Sequence, residues 1–130
     1  WRKSSRGRLA EIIVLDQFSR NMFRGTPEMY RYDALALALA QEAIALGADK
    51  KLTKDERMFI YLPFEHSESK IIQRESLRLF KQIWGKENLT YAIDHNKIVD
   101  RFGRFPHRNA ILGRTSTEAE KKFMRTHEGY

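Results

Sequence analysis

Three short polar clusters carry the residues of this sequence that could do chemistry, and each lies where a predicted helix ends. Their members are Asp16, Gln17, Arg20, Asn21 and Arg24; Tyr61, Glu65, His66 and Glu68; and Arg104, His107, Arg108, Asn109 and Arg114. Arginine binds carboxylates and phosphates through paired N–H groups, and histidine exchanges a proton near neutral pH. The clusters therefore predict one cleft that binds an anionic small molecule or a peptide carboxylate.

The two histidines leave a catalytic interpretation open. His66 or His107 could act as acid or base, with Glu65 assisting, in hydrolysis or group transfer on a phosphorylated or carboxylated substrate. Alternatively, the arginines pair internally with Asp16, Glu65 and Glu68 and hold the helix ends together. A third hypothesis is a protein-interaction scaffold, in which a protein partner binds a helical groove elsewhere on the surface. The residue types alone do not choose among these hypotheses.

Several enzyme and cofactor motifs are absent from the sequence. There is no Gly-x-Ser-x-Gly elbow, no Gly-x-Gly-x-x-Gly fingerprint and no Walker phosphate-binding loop. His66 with Glu65 or Glu68 and a distant His107 is a conceivable metal site, but no short motif such as His-Glu-x-x-His occurs. We therefore predict no metal and no cofactor.

Length and composition indicate one globular domain over residues 1–130, since 42% of the residues are hydrophobic. The net charge of +7 would attract anions of any kind. Nucleic-acid binding is disfavoured, because Phe102, the aromatic residue beside Arg101, falls in the apolar stripe of its helix. The longest apolar run, Ala34 to Ala40, predicts no membrane insertion, because a bilayer span needs about 20 residues. The lack of cysteine fits a reducing compartment and predicts a cytoplasmic location.

The elements that position the clusters are predicted to be helices throughout. Apolar spacing predicts helices over residues 6–20, 34–46, 69–84 and 89–102, a helix from Lys54 that Pro63 kinks or ends, a short helix after Pro106 and a last helix to about His127. The Ala-Leu alternation of residues 34–46 is read as a helix that is central in the packing, because both residue types are strong helix formers. The sequence thus predicts an all-α fold of six or seven helices in antiparallel pairs.

Three blocks of the chain resemble the bacterial family called domain of unknown function 924. They are Leu15–Pro27 (LDQFSRNMFRGTP), Tyr61–Glu68 (YLPFEHSE) and Arg101–Arg114 (RFGRFPHRNAILGR), which occur in the order found in the family. The resemblance implies a tetratricopeptide-repeat-like fold, an α-α superhelix, and no established activity. It also implies further helices ahead of residue 1, so we expect an amino-terminal portion to be missing.

Overall fold

The computed structural model describes residues 1–86 and 88–130, and the elements in this part of the chain are all helical. The first helical run consists of α1 (Ser5–Ile13), a π-helical segment (Val14–Phe18) and α2 (Ser19–Met22). The later helices are α3 (Asp33–Ala45), α4 (Lys54–Glu65), α5 (Lys70–Trp84), α6 (Thr90–Phe102), α7 (Asn109–Leu112) and α8 (Glu118–Met124), with 3₁₀ turns at Pro27–Tyr30, Asp49–Lys51 and Pro106–Arg108. With the first run counted once, the described residues form seven helices, which confirms the predicted all-α class.

Side-chain caps fix where several helices begin. Ser4 and Ser69 accept backbone N–H groups at the starts of α1 and α5. Thr53 and Thr117 each form a complete capping box with the glutamate three residues later. Gly103 ends α6 in the left-handed conformation with φ +73, which a residue with a side chain adopts only under strain. This sharp turn directs the chain from α6 into the arginine-rich segment.

Helix α4 lies at the centre of the packing, in contact with α1, α3, α5 and α6. Its Ile60, Tyr61 and Phe64 are buried against residues such as Phe80 of α5. The prediction that the Ala-Leu helix is central is wrong. Helix α3 buries its small alanine face, while Leu35 is 45% exposed and Leu46, the residue after the helix, is 62% exposed.

Pro63 lies inside α4, and the helix continues to Glu65 instead of ending at the proline. A proline lacks the one amide hydrogen that would reach the carbonyl four residues earlier, and the next turn re-forms through the His66 N–H to the Leu62 carbonyl. Glu65 and His66 are therefore held at the carboxyl end of the central helix.

A second, smaller core holds the carboxyl-terminal third of the chain. Ile98, Val99 and Phe105 are buried there, and Phe123 and Tyr130 pack against them. This core brings the segment after Gly103 back onto α4 and α6. Within residues 1–86 and 88–130, no helix has both the length and the apolar character needed to cross a membrane.

Candidate functional site

A π-helical turn places the carboxylate of Asp16 inside the protein, where only 1% of the residue is exposed. Its Oδ1 accepts hydrogen bonds from His66 Nδ1 at 2.7 Å and from Arg20 Nη1 at 3.1 Å, and the Gln17 amide donates to its other oxygen. A π-turn has one extra residue per hydrogen-bonded ring, and such turns are frequent at functional sites. The turn thus joins the first two sequence clusters through a single carboxylate.

Arg20 is a fully paired cation. Its guanidinium donates to Oδ1 and Oδ2 of Asp33 at 2.7 and 2.8 Å, in addition to its bond with Asp16. Asp33 is the first residue of α3, so this arginine joins α2 to α3, and Asp16 connects the same group to His66 at the end of α4. The two carboxylates together neutralise the charge of Arg20 and leave a net negative charge of one.

Arg108 is buried with few partners. It belongs to the 3₁₀ turn after Pro106, and only 5% of the residue is exposed. Its Nη2 donates to the carbonyl of His66 at 3.0 Å, its Nη1 lies 3.8 Å from Asp33 Oδ2, and its Nε has no acceptor among the described residues. The guanidinium carbon lies 4.5 Å from the ring centres of both Tyr30 and Phe105. Burial, followed by the neighbouring charge of Arg20, lowers the pKa of Arg108.

Two cavities meet at the side chains of Tyr30, His66 and Arg108. The first cavity has a volume of about 270 Å³, and its remaining lining residues are Arg20, Arg24, Met29, His95 and Tyr130. The second has a volume of about 400 Å³ and is bordered by polar residues including Asp33 and Glu68 and by the apolar residues Ala34, Leu37, Pro63 and Leu112. The structure therefore brings Arg20, His66 and Arg108, one from each cluster, to the same hollow.

Burial sets the protonation of the acids and bases around this hollow. Burial acts to raise the pKa of Asp16, but the interactions of its carboxylate with His66 and Arg20 outweigh burial and hold that pKa below its usual value. Burial lowers the pKa of His66 even though Asp16 opposes this, so its imidazole is neutral at pH 7. Burial raises the pKa of Glu65 to about 7, and burial lowers the pKa of His95 to about 4. Glu65 Oε1 lies 3.5 Å from His95 Nδ1, behind the first cavity.

The other arginines of the third cluster are engaged in an internal network. Arg114 donates to both oxygens of Glu68 at 2.8 and 2.9 Å and to the side chain of Asn109. Arg104 donates to both oxygens of Glu120 at 2.9 and 2.8 Å, and the Asn109 amide also donates to Glu120. These arginines and Asn109 do not line the two cavities, while Glu68 borders the second.

Tyr61 and His107 lie away from the hollow. The Tyr61 hydroxyl donates to Asp49 at 2.6 Å and accepts from Arg57 in the main core, and burial raises its pKa to about 12. His107 Nε2 donates to the carbonyl of His127 at 2.7 Å, and its ring packs on Phe123. Of the two histidines proposed as acid or base, only His66 lines the cavities.

The remaining members of the first cluster differ in position. Arg24 lines the first cavity, and its Nη2 donates to Asn21 at 3.4 Å. Asn21 itself is exposed and does not line either cavity. Gln17 does not line them either, and its amide bonds Asp16, which in turn bonds the lining residue His66. Among the described residues, no group of three or more histidine or acidic side chains is arranged to hold a metal ion.

The hollow also includes residues that the sequence did not single out, among them Tyr30, Asp33, His95 and Tyr130. The role of Asp33 depends on Arg20 reaching across from α2. His95 stacks on Tyr130 with 3.5 Å between ring centres, a contact between residues far apart in the chain. Neither spacing nor residue type signals such contacts in advance.

Comparison with known proteins shows what this chain is similar to. A solved structure of a protein of unknown function from Agrobacterium tumefaciens superimposes with a TM-score of 0.90 at 44% sequence identity, covering 96% of this chain and 70% of that one. No curated protein matches the chain. The family model described as bacterial protein of unknown function, DUF924, matches residues 1–128. The chain therefore belongs to the DUF924 family of bacterial proteins.

Proposed function

We propose that the first cavity binds a small molecule or peptide end through a carboxylate or phosphate group, which Arg108 holds. The observation that carries the proposal is the poor pairing of this buried cation. A guanidinium has five N–H groups, and among the described residues Arg108 makes one hydrogen bond, to a carbonyl oxygen. A buried charge is costly unless it is paired and hydrogen-bonded, and a bound anion would supply the missing acceptors.

The charges around the cavity favour an anion over a cation. Asp33 is already bonded to both terminal nitrogens of Arg20 and only approaches Arg108, at 3.8 Å. Arg24 adds a further positive charge to the lining, while His66 and His95 are neutral at pH 7. The three arginines Arg20, Arg24 and Arg108 against the two carboxylates Asp16 and Asp33 leave a net positive charge of one to attract a ligand.

The size of the cavity limits the ligand. A volume of about 270 Å³ is at the lower end of the range for small-molecule sites, so it accommodates an anionic head group. The second cavity, of about 400 Å³, continues from the same three residues and provides space for the rest of the molecule. A compact carboxylate such as succinate fits these dimensions better than a large nucleotide.

Thermal-shift and calorimetric titrations test this proposal with inorganic phosphate, succinate and N-acetylglycine, in a buffer without other multivalent anions. We expect at least one of them to bind and to raise the melting temperature. Arg24→Ala should weaken that binding, because Arg24 lines the first cavity. Arg125→Ala is the control, because Arg125 is an exposed arginine that lines neither cavity and should retain binding. Absence of binding by all three probes, or equal loss in both variants, would contradict the proposal.

A further inference from the structure

We propose that His66, oriented by Asp16, is a general base in this hollow, and that the site hydrolyses esters whose acyl part carries an ionised carboxylate. The inference rests on the proposed function, because Arg108 must hold that carboxylate. It adds a reaction and names the substrate class.

The contact with Asp16 fixes the tautomer of His66. Asp16 is ionised and can only accept, so the 2.7 Å contact requires the proton of the neutral imidazole to be on Nδ1. Nε2 then carries a lone pair, and it makes no hydrogen bond within the described part of the chain. A carboxylate that orients a histidine in this way leaves the opposite nitrogen free to accept a proton.

His66 lies next to the residue that would hold the anion. His66 borders both cavities, and its own carbonyl accepts the hydrogen bond from Arg108, so the two residues are neighbours in the lining. A carboxylate held by Arg108 in the first cavity therefore has the rest of its molecule next to His66. The apolar residues Leu37 and Pro63 of the second cavity suit the alcohol part of an ester.

Hydrolysis can be written with these groups and one water molecule. His66 Nε2 takes a proton from the water as its oxygen forms a bond to the ester carbonyl carbon. The carbon–oxygen bond to the alcohol then breaks, and the imidazolium returns the proton to the departing oxygen. One ester and one water give one carboxylic acid and one alcohol, with no oxidation or reduction. In this step His66 is the catalytic residue and Asp16 is a positioning residue.

Titratable and charged groups from six elements surround His66. They are Asp16 of the π-helical segment, Arg20 of α2, Asp33 of α3, Glu65 of α4, His95 of α6 and Arg108 of the 3₁₀ turn. Burial, the largest influence, lowers the pKa of His66, so the free-base form prevails at pH 7. Hydrolysis is therefore expected to fall at acid pH as the imidazole becomes protonated.

The experiment compares hydrolysis of the mono-4-nitrophenyl ester of succinic acid with that of 4-nitrophenyl acetate, which lacks the second carboxylate. We expect the wild-type protein to prefer the succinate ester. His66→Ala should lower kcat by about 100-fold or more, the usual loss for a general base. Asp16→Asn should lower kcat at nearly unchanged KM and shift the acid limb of the pH profile. His107→Ala is the control and should retain full activity, because His107 lies outside the hollow.

Two measurements separate the possible failures. If none of inorganic phosphate, succinate and N-acetylglycine binds the wild-type protein, the proposed function itself is wrong. If one of them binds but the ester is hydrolysed no faster by wild type than by His66→Ala, only the catalytic inference is wrong. Nitrogen NMR of the wild-type imidazoles provides a test that needs no variant to fold: a proton on Nδ1 of His66 supports the inference, and a proton on Nε2 overturns it.

Discussion

Replacing Arg108 with methionine tests whether this residue binds a ligand or stabilises the fold. The change removes one charge-assisted hydrogen bond, to the His66 carbonyl, which contributes about 2 kcal/mol. It also removes contacts with the faces of Tyr30 and Phe105, which contribute about 1 kcal/mol each. Against this loss, it relieves the cost of burying an ion with few partners, several kcal/mol, and it places a thioether between the same two rings.

These opposing contributions nearly cancel, so the free energy of unfolding of Arg108→Met should lie within about 1 kcal/mol of wild type, which corresponds to about 4 °C in melting temperature. If Arg108 mainly holds the fold together, Arg108→Met should instead lower the free energy of unfolding by about 3 to 5 kcal/mol, the usual cost of breaking a buried ion pair. Urea unfolding monitored by circular dichroism distinguishes these results. Succinate at 100 times its Kd should stabilise wild type by about 2.7 kcal/mol and should not stabilise the variant.

Arg104→Met is the matched control for this substitution. Arg104 is paired with both oxygens of Glu120 and does not line either cavity, so the control should lower the melting temperature and retain anion binding. The reasoning about Arg108 would be refuted by the reverse pattern, in which Arg108→Met unfolds the protein or still binds succinate with wild-type affinity.

Three further substitutions test the account of the surrounding residues. The pKa of Glu65 is about 7 in the folded protein and 4.5 in the unfolded chain, so the stability of the wild-type protein falls as pH rises between these values. In urea unfolding, Glu65→Gln should therefore be about 3 kcal/mol more stable than wild type at pH 8 and equally stable at pH 4. Tyr61→Phe leaves the buried Asp49 without its hydroxyl donor, so it should cost about 1 to 3 kcal/mol in the same assay while calorimetry shows unchanged anion binding. Gly129→Ala would place a Cβ 2.1 Å from the His107 ring at a backbone φ of +86. The substitution should therefore displace the carboxyl-terminal residues from His107, and NMR should detect this as a change in the chemical shifts of the His107 ring.

Much of the fold follows from local rules that the sequence displays. The capping boxes at Thr53 and Thr117 and the glycine after Phe102 set helix boundaries that depend on neighbouring residues alone. The burial of one face of α3 depends instead on which helices surround it, and its apolar residues on all sides gave no indication that Leu35 would be exposed. The central position of α4 likewise results from tertiary packing.

The site was predictable in part, because local sequence indicates where helices end but not which side chains meet there. Polar residues at helix ends indicated the neighbourhood of Arg20, His66 and Arg108, because helix ends are where side chains from different helices can meet. Which arginine would be hydrogen-bonded to a carboxylate and which would be bonded only to a carbonyl was not predictable. Arg114 resembles Arg108 in the sequence, yet Glu68 satisfies the first from 46 positions away, and no carboxylate within hydrogen-bond distance does so for the second.

The most direct test of the central claim is an NMR titration of the arginine Nε–H groups of the wild-type protein with succinate. We predict that the Arg108 resonance shifts in a saturable manner, with the same Kd that calorimetry gives, while the resonance of Arg104 stays in place. An Arg108 resonance that does not respond while succinate is shown to bind would contradict the assignment of this cavity as the anion site.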